Sequence, residues 1–275
     1  MPGETMDDAL AAATTLVADG IVSEYTRFGE NLASLDEADA VAEHYADLLD
    51  RIDAASLDGE ISVKLSQLGL DLGAEAAYRH CQRLAAKAES AGHFFWIDME
   101  DSSYVDATLA LYGRLRAEHP LAGVCLQACL RRTAADVERL LPLGPAIRLV
   151  KGAYDEPASV AFRSRREVDA NYAAVAVTLL RAGAGGGRVR LGLGTHDVAL
   201  IEQIAAHAAA AGIARDAFEV QMLFGIRASE QRRLAREGYR VRTLIAYGES
   251  WYPWYMRRLA ERPANVLFAL RQLLP

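Results

Sequence analysis

Along the chain, short runs rich in β-branched and aromatic residues alternate with longer, alanine-rich stretches whose apolar positions recur at helical spacing. The short runs fall at 20–27 (GIVSEYTR), 61–66 (ISVKLS), 93–98 (HFFWID) and 122–128 (AGVCLQA). They continue at 146–151 (AIRLVK), 188–195 (RVRLGLGT), 217–222 (AFEVQM) and 240–246 (RVRTLIA), and each predicts a strand. Between them, Ala77, Cys81, Leu84, Ala85 and Ala88 stand at i, i+4, i+7, i+8 and i+11, one face of a helix. Ile201, Ile204, Ala205 and Ala208 repeat the arrangement. Thr133, with Asp136 three residues on and Val137, Leu140 and Leu141 behind it, predicts an N-cap opening a further helix.

Strands alternating with helices call for a parallel sheet with right-handed crossovers. Eight such units fit an α/β fold closed into a (β/α)8 barrel of the TIM type, with an open doubly wound sheet as the alternative. The open sheet would want G-x-G-x-x-G directly after an early strand. The glycine-rich segment Gly183–Gly187 instead follows a helical stretch and precedes a strand, which is the order of a flexible loop. No linker or low-complexity tract divides the chain, so 1–275 reads as one barrel domain, with 20–275 the barrel and 1–19 a leading helix or disordered lead-in.

Composition narrows the function classes. With 275 residues, 52% hydrophobic and 24% charged, the chain has ample material for a core. A net charge of −7 gives no electrostatic reason for a nucleic-acid partner and leaves open only a weak peripheral membrane contact. No apolar run reaches the roughly 18 to 20 residues of a membrane-spanning helix. Glu4, Asp7 and Asp8 stand where an export signal would be basic, so the expected location is the cytoplasm, at most peripheral to the inner face of the membrane. Cys81, Cys125 and Cys129 show no C-x-x-C spacing and read as buried thiols.

Polar residues gather at the strand ends. Lys64 lies in ISVKLS, Asp98 and Glu100 in WIDMED, Gln127 in VCLQA, and Arg148 and Lys151 in IRLVKG; Thr195 and His196 follow LGLG, and Gln221 closes FEVQ. In a β/α barrel these ends meet at one mouth, where such enzymes place their chemistry. One cation on an apolar strand also reads as a structural ion pair, since burying it unpartnered is costly. Six strand ends doing so together predict a polar pocket rich in cations. Towards the C-terminus, WYPWYMRRLAE runs from Trp251 to Glu261. On a helix, Arg257 and Arg258 would diverge by roughly 100° and could not share one solvated face. One surface arginine beside one capping arginine is one reading. The other is a carboxylate clamp on a C-terminal helix at the barrel mouth, walled by aromatics and completed by Lys64.

Other chemistries fit poorly. The histidines (His44, His80, His93, His119, His196, His207) lack H-E-x-x-H or comparable metal spacing, so no metal is expected. There is no G-x-S-x-G elbow and no G-x-x-x-x-G-K-[ST] loop. Asp98 and Asp101 could suggest glycoside hydrolysis, but a cationic pocket suits a neutral sugar badly.

The segments ISVKLSQLG, WIDMED, CLQACLRRT, IRLVKGAYDEP, GTHD, FEVQMLFGIR and YMRRLAERPAN resemble, in order, the successive motifs of the proline dehydrogenase family, over about residues 61–265. The resemblance is to the monofunctional bacterial type and to the equivalent domain of bifunctional proline utilization proteins. IRLVKGAY and RRLAERPAN are the specific signals. The resemblance implies non-covalent FAD at the barrel mouth and oxidation of L-proline to Δ1-pyrroline-5-carboxylate, by hydride transfer to flavin N5. Electrons would pass to a quinone, and a pyrroline-5-carboxylate dehydrogenase is the implied partner. Carried over by position, Lys64, Arg257 and Arg258 would hold the substrate carboxylate, and Asp98 would pair with Arg258 to position the clamp. Arg148 would sit near the flavin's reactive edge, a positive charge for the reduced ring. Met99, Gln127, Lys151, Gly152, Ala153, Thr195 and His196 match FAD-contacting positions, while Tyr154, Leu223 and Glu261 would line or brace the pocket edge.

Two positions depart from the family. Leu244 and Trp254 stand where tyrosines are usual, both bordering the substrate ring. Hydroxyproline or another cyclic secondary amino acid therefore stays open as the substrate. A flavin-free barrel enzyme acting on anionic substrates and a silent amino-acid-binding protein are the competing classes.

Overall fold

The computed structural model describes residues 1–29 and 32–252. Its eight strands are β1 (Val22–Arg27), β2 (Gly59–Val63), β3 (Phe95–Ile97), β4 (Ala122–Gln127), β5 (Ala146–Val150), β6 (Arg190–Gly194), β7 (Phe218–Leu223) and β8 (Arg240–Tyr247). All pair in parallel in sequence order, and β8 returns to β1 to close the barrel. The helices are α1 (Met6–Val17), α2 (Leu35–Ala54), α3 (Ala74–Ser90), α4 (Val105–Glu118), α5 (Thr133–Leu140), α6 (Arg165–Ala184), α7 (Val198–Ala210) and α8 (Ala228–Arg236). The eight expected strands are all present. Lys64, expected within the second strand, lies just past its end, which places it at the mouth.

The outward sides of the strands are apolar and pack on the helices, so residues such as Ile61, Ile97, Ile147 and Ile245 are fully buried. The face of α3 read from the spacing is buried throughout, and on α7 Ile201, Ile204 and Ala208 are buried. The segment at 185–187 is a turn between α6 and β6. Where a disordered lead-in was one expectation, α1 is a helix opened by a Thr5–Asp8 capping box. It buries Met6, Ala9, Ala12 and Ala13 and packs on β1 and β8, covering the closing seam.

One local expectation is corrected. Thr133 is not an N-cap: α5 begins at Thr133, with Arg132 in the capping position. The Thr133 hydroxyl donates to the Gln127 carbonyl at 2.5 Å, because the end of β4 leaves that acceptor within its reach. Asp136 accepts from Arg132 and Arg139 instead.

Inside the barrel the lower layer is ionic. Arg242 is fully buried and donates to Glu219 at 2.8 Å, with Glu60 at 3.1 Å. Arg190 adds contacts to Glu60 at 2.8 Å and Glu219 at 3.2 Å. Burial would raise the Glu219 carboxyl, but Arg242 and Arg190 outweigh it and hold the pKa at about 2. Trp96 crosses this layer and donates to Glu60 at 2.6 Å. Its ring has room because residue 123 is glycine, where a Cβ would lie 2.4 Å from the ring.

Candidate active site at the barrel mouth

The turn after β2 is held in place by two hubs. Gln67 accepts from the Lys64 amide at 3.3 Å, and its Nε2 donates to the carbonyls of Arg27 and Gly29 at 2.8 and 2.5 Å. Glu100 accepts from the Ser66 amide and hydroxyl at 3.0 and 2.6 Å, while its own carbonyl accepts from Gln127 Nε2 at 2.8 Å. The ends of β1, β2, β3 and β4 are thereby joined, and Lys64, 9% exposed, is fixed at the rim.

Arg148 points from β5 into the barrel. Its Nη1 donates to Glu24 on β1; its Nη2 donates to Asp98 Oδ1 and Ser62 Oγ, both at 2.5 Å. Ser62 in turn donates to Asp98 at 2.9 Å. Burial disfavours the Arg148 charge, but Glu24 and then Asp98 more than offset it and keep the guanidinium protonated. The positive charge expected of Arg148 is thus flanked by two carboxylates. Asp98, which the resemblance paired with Arg258, has Arg148 and Ser62 as its partners among the described residues. Arg257, Arg258, Trp254 and Glu261 lie outside those residues.

Beyond β4 to β6 opens a cleft of about 630 Å³, lined by Lys151, Gly152, Tyr154, Thr195 and His196. Lys151 Nζ donates to Asp169 at 2.5 Å and Asp197 at 2.8 Å, and Arg165 also reaches Asp197 at 2.8 Å. Burial alone would raise the Asp197 carboxyl; Lys151 and Arg165 pull it down to about 2. Gly152 adopts φ +108°, and a Cβ there would sit 2.2 Å from Cys129 Sγ, so only glycine lets the backbone line the cleft here. His196 Nε2 accepts from the Leu223 amide at 3.0 Å, which leaves the ring proton on Nδ1. Burial, with Arg227 nearby, pushes its pKa down to about 4, so the ring is a neutral donor at working pH.

Met99 is buried behind the rim, while Ala153 is exposed on it. Leu223 and Leu244 are register partners on β7 and β8, with Leu223 39% exposed and Leu244 half-buried. Residues the sequence reading did not single out are Glu24, Ser62, Gln67 and the rim cations Arg163, Arg165 and Arg227. Glu24 offered little signal, because VSEYTR already mixes Ser23, Thr26 and Arg27 with its apolar residues. The cleft's size falls in the roughly 300–1,000 Å³ range of ligand sites; its rim arginines could meet phosphates, alongside the acids Asp155, Glu156 and Asp197 that also line it. Among the described residues no group of three or more metal-ligating side chains is placed to hold a metal, and no helix is long and apolar enough to cross a membrane.

The family model described as proline dehydrogenase matches residues 9–271. The chain is 37% identical over 272 residues to proline dehydrogenase 1 of Bacillus subtilis subsp. natto, covering 99% of this chain and 88% of that one. It is 38% identical over 279 residues to a proline dehydrogenase of Deinococcus radiodurans, with coverage of 99% and 88%. Among solved structures, proline utilization A from Bdellovibrio bacteriovorus superposes with a TM-score of 0.84 at 23% identity, covering 94% of this chain and 32% of that one. Proline utilization A from Corynebacterium freiburgense gives 0.79 at 20%, covering 96% and 31%. This chain spans about a third of those longer proteins, and at such identity the likeness speaks to the barrel fold.

Proposed function

The chain belongs to the proline dehydrogenase family, and from that premise we propose that it is an FAD-dependent enzyme oxidising L-proline to Δ1-pyrroline-5-carboxylate, with a quinone as electron acceptor. The observation that carries the reading is the meeting, at one mouth, of Lys64, the Arg148–Asp98 pair and the arginine-rimmed cleft with its Gly152 approach. When bound, FAD would supply the redox chemistry, accepting a hydride at N5. The protein's share is binding, orientation and electrostatics. Lys64, together with Arg257 and Arg258, would hold the substrate carboxylate through charge-assisted hydrogen bonds. Asp98, steadied by Ser62 and Arg148, would brace the polar side of the pocket. Met99, Gln127, Lys151, Gly152, Ala153, Thr195, His196 and Glu261 are the positions assigned to the cofactor, and Tyr154, Leu223, Leu244 and Trp254 those bordering the substrate.

The test begins with the visible spectrum of the purified protein. An oxidised-flavin spectrum that L-proline bleaches without oxygen, and free FAD in the supernatant after denaturation, are the expected results. A colourless protein that FAD does not reconstitute, or colour that stays with the precipitated chain, would overturn the reading.

One observation favours a second substrate reading. Leu244, in register with Leu223, lacks the ring and hydroxyl of the tyrosine usual in the family, which would leave apolar room there. Hydroxyproline or a larger cyclic secondary amino acid fits that room by the same chemistry.

A further inference from the structure

Glu24 is a fully buried acid on β1, inside the barrel and below the mouth. Its register partners are Glu60 on β2 and Leu244 on β8. One carboxylate oxygen accepts from Arg148 Nη1, while Oε2 meets no hydrogen-bond partner among the described residues. The other arm of that guanidinium holds Asp98 and Ser62, and the Trp96 ring lies 5.2 Å from its Cζ. Side-chain exposure rises along the series, from 0% at Glu24 to 4% at Arg148 and 20% at Asp98. The trio therefore runs from the closed interior to the open mouth.

A buried arginine needs one carboxylate for charge balance, and Asp98 already supplies it. A second acid, wholly desolvated and with one oxygen unpaired, carries a large penalty that pairing alone does not explain. Such local violations concentrate at functional sites. What the second acid adds is geometric. Without it, the guanidinium would be held by one arm alone, through Nη2 at Asp98 and Ser62, and could tilt about that end.

We propose that Glu24 is a positioning residue for amine oxidation: it anchors Arg148 from inside the barrel, so that the guanidinium and the Asp98 carboxylate keep one orientation at the mouth. The proposal rests on the function proposed above. The charged groups facing Glu24 are Arg148 from β5, Glu60 from β2 and Asp98 just past β3, and burial, opposed by Arg148, raises its carboxyl above the ordinary range. Glutamine keeps the reach of the side chain and an oxygen to accept from Arg148, and it removes the charge.

Reach and charge separate in two variants of the FAD-loaded enzyme. Glu24→Gln keeps the reach and cannot ionise; Glu24→Asp keeps the acid and shortens the arm by one methylene. The measurements are the limiting rate of flavin reduction by L-proline, the Kd of tetrahydrofuran-2-carboxylate from flavin spectral perturbation, and the melting temperature. Glu24→Asp should lose on the order of 10- to 100-fold in the limiting rate, since misplacement by about 1 Å costs that much. Its analogue Kd should stay within about threefold, because other groups hold the carboxylate. Glu24→Gln should retain most of the rate. Glutamine slower than aspartate would show that charge balance is what Glu24 supplies. Equal rates in both variants and wild type, or losses that merely track the melting temperature, would equally overturn the positioning role. An active wild type with indifferent variants refutes this inference alone, whereas a wild type whose flavin L-proline does not reduce refutes the proposed function and this inference with it.

Discussion

Leu244 shares a strand face with Arg242, whose side chain ties into the lower ionic layer, so alternation along β8 turns Leu244 into the barrel as well. It stands one step nearer the mouth, half-buried and in register with Leu223. A leucine offers volume and no hydrogen bond, so its effect on substrate choice is limited to fit. Differences of that size are worth about 1–3 kcal/mol, or roughly 10- to 200-fold. We expect L-proline to turn over, trans-4-hydroxy-L-proline and L-pipecolate to compete well, and Leu244→Tyr to shift the ranking towards proline. The measurement is kcat/KM for the three substrates with an artificial acceptor. A wild type favouring proline more than ~1000-fold over both, with a ranking that Leu244→Tyr leaves unchanged, would remove Leu244 from the specificity argument.

Among the helices, α1 has the most specific architectural task. In a regular alternation each helix covers the groove beside the strands it joins, and the seam between β8 and β1 needs a cover too. Here α1 supplies it from ahead of β1, presenting Ala9 and Ala13, both essentially unexposed, to the strands. Small residues let the helix sit close to the sheet. Ala13→Glu would force a charged side chain into that contact. It should destabilise the protein by about 2–4 kcal/mol, seen as a lower melting temperature, while Ala11→Glu on the exposed face should be silent. Equal melting temperatures for the two variants would show that α1 does not support the barrel.

For the barrel as a whole, the buried titratable groups set a pH range of stability. His44, hydrogen-bonded to Tyr247 at 2.7 Å, and His196 are both pushed down to about 4, chiefly by burial. Their folded pKa values lie below the unfolded value of 6.5, so the unfolded chain binds more protons. Their contribution is therefore complete above pH ~6.5 and is lost as pH falls towards 4. Glu219 and Asp197, held at about 2 by their arginine and lysine partners, extend the loss from the normal carboxylate range down to pH ~2. The melting temperature should thus be flat above neutrality and fall in two stages on acidification, the first largely removed in a His44→Gln/His196→Gln double variant. A melting temperature that stays constant from pH 7 to 4 would contradict this account.

Periodicity is a local property of a chain, and the local features were legible. Eight strands, the buried faces of α3 and α7, and the gathering of Lys64, Asp98, Gln127, Lys151 and Thr195 at strand ends all follow from spacing, with parallel topology bringing those ends to one mouth. Pairing is not local. Arg148 meets Glu24 across 124 positions of sequence and Asp98 across 50, and which strands face one another across the interior depends on closure and stagger. The same holds for Lys151 between Asp169 and Asp197, and for α1 at the seam. An arginine in an apolar strand announces that a partner must exist, because burying it alone is too costly. Only the closed barrel identifies that partner, and it holds the arginine between two acids.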